Sequence, residues 1–298
     1  MYPFIDLFGF QLPTFGLMVA SAFLICHYLL KKEFLNRNIE EKIIEDIIFY
    51  AALSAIVGSK IYYVIEKSFS DSGPFIQNIK NNIYCSDCNG FLEHLQRFGS
   101  GLTFNGGFIC ALIFIGIYVY RKKLDFISLA DIITPYILLG HGIGRIGCFL
   151  VGDDYGIPST LPWAVSFENG LPPTTIDVFT TQYSFLNYNA SDLTQYLIEG
   201  SENVISVHPT QVYEMSLYFI SFLFIKKFYN QISKTKGLPF SIYLILGGFS
   251  RFIVEFLRTN ERYFLNLSSA QYISIFMILF GIIFILYKRE NKIQYGNH

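Results

Sequence analysis

Charge is what this chain has least of. Asp, Glu, Lys and Arg together make up 15% of its 298 residues, where soluble domains carry about 25%. With 52% hydrophobic residues and a mean hydropathy of +0.40, that shortage excludes an ordinary soluble domain, or a pair of them. There is no long basic run and the net charge is -1, so nothing suggests nucleic-acid binding. No Lys or Arg precedes Lys31, and Asp6 stands where a signal peptide would carry its basic n-region, so the first segment is read as retained. Internal repeats, heptad arrays and low-complexity tracts are missing. So are the paired broken helices that mark small-solute transporters.

What the chain does have is apolar runs of nearly 20 residues, the length a helix needs to cross about 30 Å of hydrocarbon. Seven can be drawn, over roughly 12–30, 47–65, 102–120, 127–147, 210–226, 238–257 and 269–287. They predict an all-α polytopic integral membrane protein of about seven transmembrane helices. It reads as a single membrane domain, 1–298, with a small irregular extracytoplasmic head, 148–207, inserted between the fourth and fifth spans. That insertion is too long for a connector and too polar to span. Pro158, Pro162, Pro172, Pro173 and Trp163 give it an irregular, headgroup-level character. Basic residues collect at one set of span ends: Lys31, Lys32, Arg37 and Lys42, then Arg121 to Lys123, Lys226, Lys227, Lys234, Lys236, Lys288, Arg289 and Lys292. By the positive-inside rule the N-terminus lies outside and the C-terminus in the cytoplasm. The remaining polar stretches then face outward.

The most unusual of those stretches runs from Gly140 to Gly156. It sets His141, Arg145, Asp153 and Asp154 among closely spaced glycines at the end of an uncharged run, Ile132 to Leu139. An arginine there can simply snorkel to the headgroups. Alternatively, with Gly144 and Gly147 opening the space around it, its guanidinium can grip a phosphate through two parallel hydrogen bonds. Arg251, Glu255 and Arg258 follow at i, i+4 and i+7, so they line one helix face, either as a self-neutralising stripe or as part of the same anion site. His208-Pro209-Thr210-Gln211-Val212-Tyr213-Glu214 opens the fifth span, where a His-Pro pair suits a helix start. Gln211, Tyr213 and Glu214 then add polar groups at the depth of Arg145. Asn105-Gly106-Gly107 opens the third span, with Asn105 able to cap it.

The five cysteines divide by context. Cys26 and Cys110 read as small buried hydrophobes. Cys85 and Cys88 lie in an outer loop, where a disulfide ranks above a metal site. Cys148 follows the arginine directly and is either a nucleophile or packing.

Together these pieces resemble the bacterial prolipoprotein diacylglyceryl transferase family over nearly the whole chain. The family's Gly-Arg-x-Gly-x-Phe loop is similar to Gly144-Arg145-Ile146-Gly147-Cys148-Phe149, continuing to Gly152 and Gly156. Its His-Pro-Ser-Gln-Leu-Tyr-Glu signature resembles residues 208–214, and its Phe-Arg-x-x-Val-Glu-Phe-x-Arg helix resembles Ser250 to Arg258. The resemblance implies transfer of the diacylglyceryl group of phosphatidylglycerol to the lipobox cysteine of a preprolipoprotein signal peptide, the first step of lipoprotein maturation. The products are a thioether and glycerol 1-phosphate. It implies a multi-pass protein of the bacterial cytoplasmic (inner) membrane with its site on the outer side, among membrane lipids, and no metal or soluble cofactor. Arg145 and Arg251 would hold the phosphate, Glu255 would orient Arg251, and His208 completes the catalytic set. Asn105, Gly106, Gly107, Gly144, Gly147, Cys148, Gly156, Gln211, Tyr213, Glu214 and Arg258 would shape the substrate site.

Three positions depart from the family pattern. Asn105 stands where many members carry a His, Phe15 where a Tyr is common, and Cys148 where an Asn is usual. An amide is no base at neutral pH. The thiol's proton then goes to His141 or His208, or the arginine field alone lowers the thiol pKa. The alternative reading is a catalytically altered lipid-binding or lipid-transporting relative with the same cavity.

Overall fold

The computed structural model describes residues 2–7, 10–70, 75, 76, 79 and 104–295. Cys85, Cys88 and the side chain of Asn105 lie outside the described residues. Helices coincide with the apolar segments: α1 (Thr14–Asn36), α2 (Glu41–Ser70), α3 (Phe104–Arg121), α4 (Phe126–Val151), α5 (Thr210–Ile232), α6 (Leu238–Glu255) and α7 (Ser269–Tyr295). Helices α1, α2, α4, α6 and α7 are long and apolar enough to cross a membrane. The described apolar part of α3, Gly106–Arg121, is shorter, and α5 is interrupted by Glu214, Lys226 and Lys227. An antiparallel hairpin of β1 (Phe4–Leu7) and β2 (Phe10–Pro13) precedes α1, an element with no counterpart in the sequence reading.

The chain forms two compact units, one of residues 1–30 with 127–298 and the other of residues 31–126. In the smaller unit α2 and α3 approach closely along glycines. A methyl on Gly107 would sit 2.6 Å from Ser59 Oγ and 2.8 Å from the Ala55 carbonyl, and one on Gly106 would overlap Tyr62. Gly106 and Gly107 therefore have a local helix-packing reason to be small. Tyr118 donates to Asp46 at 2.9 Å in the same unit.

In the larger unit the usual distribution of side chains is reversed. Leu24, Tyr28, Ile220, Leu223, Ile273 and Ile283 stand exposed on long helices, while Gln211, Glu214, Glu255, Arg258 and Gln271 are buried. Apolar side chains facing outward suit hydrocarbon rather than water. Inside such a medium the backbone must satisfy its own hydrogen bonds, which holds α4 helical through its four glycines from Gly140 to Gly147. Pro135 lacks the N–H that would bond the Asp131 carbonyl; the Tyr229 hydroxyl donates to that carbonyl instead, at 3.2 Å.

Between α4 and α5 the chain builds an irregular body of short helices, Ile176–Thr181 and Ala190–Leu193, and isolated bridges. Its centre is apolar and largely aromatic: Tyr155, Phe167, Phe179, Leu193, Ile205 and Val207 are buried together. Its two ends are joined, since Gly156 N donates to His208 O at 3.0 Å and His208 N to Ile157 O at 3.1 Å.

Candidate functional site

The end of α4 is where the larger unit gathers its charge. Helix α4 brings Arg145, the first turns of α5 bring Glu214, and the end of α6 brings Arg251 and Glu255, with Arg258 just beyond. Arg258 is fixed by the main chain. Gly156 bridges to it, and Ile157 N donates to Leu257 O at 2.8 Å. A methyl on Gly156 would overlap the Leu257 carbonyl and sit 2.7 Å from Thr210 Cγ2, so only glycine allows this approach.

Glu214, fully buried, is the centre of the cluster. Arg145 grips it side-on, Nε 3.0 Å from Oε2 and Nη2 3.4 Å from Oε1. Arg251 Nη1 lies 3.3 Å and Arg258 Nη1 3.4 Å from Oε2, and the Tyr218 hydroxyl donates to Oε1 at 2.8 Å. Glu255 pairs with Arg251 at 3.0 Å and accepts from Asn260 and Ser268, both at 2.7 Å. Asp154 completes the ring, one carboxylate oxygen 2.6 Å from Arg145 Nη1 and the other on Arg258. Guanidiniums held this way are oriented before any ligand arrives. Such fixed donors are what stabilise developing negative charge.

Arg145, Glu214, Arg251, Glu255 and Arg258, all named from the sequence, thus come together. Cys148 joins them as packing with a polar edge, its buried sulfur 3.5 Å from Arg145 Nη1. Gln211 is buried and donates to the Asp153 carbonyl at 2.5 Å. His208 belongs to a neighbouring group: its Nδ1 lies 3.3 Å from the Tyr213 hydroxyl, which accepts from Trp163 at 2.7 Å. Burial lowers the pKa of His208. His141 meets the cluster through Tyr218, ring to ring at 5.4 Å. Gly144 faces open space, whereas Gly147 packs on Phe15 and Met18.

Sequence reasoning missed Asp154 as a member of the site, together with Tyr218, Asn260 and Ser268. Tyr218 could have been found, since it lies one helical turn beyond Glu214. Partial burial would raise the Asp154 pKa, but Arg258 and Arg145 outweigh it and hold the carboxyl well below its usual range. Its neighbour goes the other way. Burial first, and then the charge of Asp154, push Asp153 up to about 6, and its buried Oδ1 has no hydrogen-bond partner. Ligand atoms of Cys148, Asp153 and Asp154 lie within 4.8 Å of one another. Two of the three touch arginines, so a cation would be repelled there.

Apolar-faced helices around an ionised cluster define a polytopic membrane protein, a class in which such residues mark functional sites. The family described as prolipoprotein diacylglyceryl transferase matches residues 3–287. Two relatives named phosphatidylglycerol–prolipoprotein diacylglyceryl transferase are 31% identical over 278 residues (Clostridium tetani, 93% of both chains) and 30% over 286 residues (Finegoldia magna, 96% of this chain and 95% of the relative). A third so named, from Thermotoga maritima, is 27% identical over 286 residues, 95% of this chain and 83% of its own length. The chain belongs to the prolipoprotein diacylglyceryl transferase family.

Proposed function

We propose that the chain transfers the diacylglyceryl group of phosphatidylglycerol to the lipobox cysteine of a preprolipoprotein signal peptide. The family makes it a transferase of lipoprotein biosynthesis, and the relatives' names supply phosphatidylglycerol and prolipoprotein as substrates. The observation that carries the reading at the level of the site is the convergence of Arg145, Arg251 and Arg258 on the Glu214–Asp154 pair. The family match disfavours a purely lipid-binding or lipid-transporting relative.

The chemistry asks for that arrangement. The cysteine sulfur forms a bond to the glyceryl carbon that carries the phosphate, and that carbon's bond to the phosphate oxygen breaks. The oxygen keeps the electron pair and leaves as glycerol 1-phosphate. Negative charge therefore grows on the phosphate, where oriented guanidiniums stabilise it. Arg145 and Arg251 hold the phosphate, Glu255 and Glu214 orient them, and Arg258 adds charge. The thiol proton goes to His141 or His208, or is lost in the arginine field without a dedicated base. Gly144 leaves room for the lipid headgroup.

The same reading places seven spans in the bacterial cytoplasmic membrane as a single membrane domain. Residues 148–207 form an extracytoplasmic head, the N-terminus lies outside and the C-terminus inside. The basic residues at the ends of α1, α3, α5 and α7 support it. The test is transfer by the purified protein from phosphatidylglycerol vesicles to a synthetic lipobox peptide. A thioether-linked peptide with stoichiometric glycerol 1-phosphate is the expected product. Wild-type protein that binds the lipid and yields neither would overturn the assignment.

A further inference from the structure

We propose that Asp154 is an internal stand-in for the substrate phosphate, seated between Arg145 and Arg258 until the lipid displaces it and returning to expel the phosphate product. The proposal rests on the reading of the arginine cluster as the phosphate site.

The ring is balanced in charge. Three guanidiniums, of Arg145, Arg251 and Arg258, face three carboxylates, of Glu214, Glu255 and Asp154. A phosphodiester entering this ring would meet no net positive charge. One carboxylate has to give way before the arginines can serve a ligand.

Exposure decides which. The side chains of Glu214 and Glu255 are each 1% exposed, and Tyr218, Asn260 and Ser268 hold them as well as the arginines do. The Asp154 side chain is 43% exposed. If it swings out it enters water and keeps its solvation, whereas expelling either glutamate would require unpacking the core.

Geometry supplies the mimicry. Asp154 offers one oxygen to Arg145 and the other to Arg258. A phosphodiester has two charged oxygens of its own to present to the same pair. The carboxylate is held well below its usual pKa by those arginines in spite of partial burial, so it is a charged competitor at neutral pH.

The main chain is built for the role. Asp154 sits at φ +58, a left-handed conformation that a non-glycine residue adopts at some cost, and strain of this kind gathers at functional sites. The backbone is pinned on both sides. Thr210 Oγ1 donates to the Asp154 carbonyl at 2.7 Å and Gln211 Nε2 to the Asp153 carbonyl at 2.5 Å. Rotation about the side-chain bonds alone empties the seat.

Two kinetic consequences follow from one competitor. Asp154 weakens the hold on phosphatidylglycerol, and it also weakens the hold on glycerol 1-phosphate, whose greater charge would otherwise keep it on the arginines. The test compares wild type with Asp154→Asn in the vesicle-to-peptide transfer assay, measuring KM for phosphatidylglycerol, kcat, and Ki for added glycerol 1-phosphate, with glycerol as the uncharged control. Asp154→Gly is the second variant, because glycine accepts the left-handed main chain and so guards against a folding failure.

We expect KM and Ki to fall by about tenfold in both variants, with kcat reduced by product retention and glycerol without effect. An unchanged or raised KM and Ki in the folded variants would overturn the proposal and leave Asp154 as a strut for the arginines. Arg145→Ala separates the two levels. If direct binding of glycerol 1-phosphate to this variant, measured by isothermal titration, matches wild type, the phosphate reading of the cluster has failed. If that binding is lost while the Asp154 variants behave like wild type, only the stand-in has failed.

Discussion

Helix α4 carries an ionisable side chain near each end, and the two differ in their partners. Near its start the buried Asp131 carboxylate accepts from main-chain amides, Gly237 N at 2.7 Å and Phe240 N at 3.0 Å, which belong to the first turn of α6 and the glycine before it. Fourteen residues on, about 21 Å along the axis, Arg145 is held by the side chains of Glu214 and Asp154. Main-chain partners cannot be exchanged without unfolding a helix end; side-chain partners can. A costly charge in an apolar helix therefore has a structural use as well as a functional one, and its partners tell the two apart.

The largest effect is expected at Glu214→Ala, which leaves three guanidiniums facing one another where one of them, Arg258, is buried. Loss of one partner from a buried ionic network costs about 3–5 kcal/mol. Thermal unfolding in detergent should register that, and transfer to a lipobox peptide should be abolished. Activity near wild type would remove Glu214 from the centre. Arg145→Lys comes next. A point charge cannot grip Glu214 side-on and still offer the phosphate two parallel donors, so activity should fall by about 10²-fold or more. Full activity in that variant would end the clamp role.

At the other end of α4, Asp131→Ala should cost about 3 kcal/mol of stability, because it leaves the Gly237 and Phe240 amides without their carboxylate acceptor. The folded fraction should keep the wild-type KM for phosphatidylglycerol, and a changed KM would break the contrast. The smallest effect belongs to Asp153, whose carboxyl sits near 6 rather than at its ordinary 3.8. Between those values the folded protein holds a proton that the unfolded chain releases. Stability therefore falls as pH rises through that window and stays at the lower level above it. Asp153→Asn should raise Tm by about 2–4 °C at pH 8 and show little gain near pH 4. A larger gain at pH 4 than at pH 8 would reverse the assignment.

Much of this was legible in the residues. The apolar segments fall on helices because length and hydropathy are summed over some twenty positions each, although α2 runs on to Ser70 and α5 to Ile232, beyond the apolar core of either run. The face shared by Arg251 and Glu255 followed from helical spacing, whereas Arg258, expected on the same face, lies beyond the end of α6 and is brought in by its bridge to Gly156. That Glu214 would be the common partner did not, since hydropathy fixes how deep a residue lies but not which neighbour it turns toward. The role of Asp154 escaped notice for a related reason. A loop aspartate in a glycine-rich stretch reads as a solvated turn residue, and only the left-handed main chain and the pinned carbonyls point it back at the arginines. The body between α4 and α5 was read only as irregular, because its buried aromatics, Tyr155, Phe167 and Phe179, recur with no period that a helix or strand would impose.

The joined ends of that body have a consequence for how such a protein can diverge. Gly156, Ile157 and His208 tie the outgoing and returning chain together before it reaches Thr210 or Arg258. The entropy of closing a loop grows only slowly with its length. Residues between the tie points therefore form a cassette. Away from Trp163, which bonds Tyr213, and from Phe167 and Phe179, which pack on Tyr155, it can be lengthened or shortened in another lineage without shifting the atoms of the charged ring.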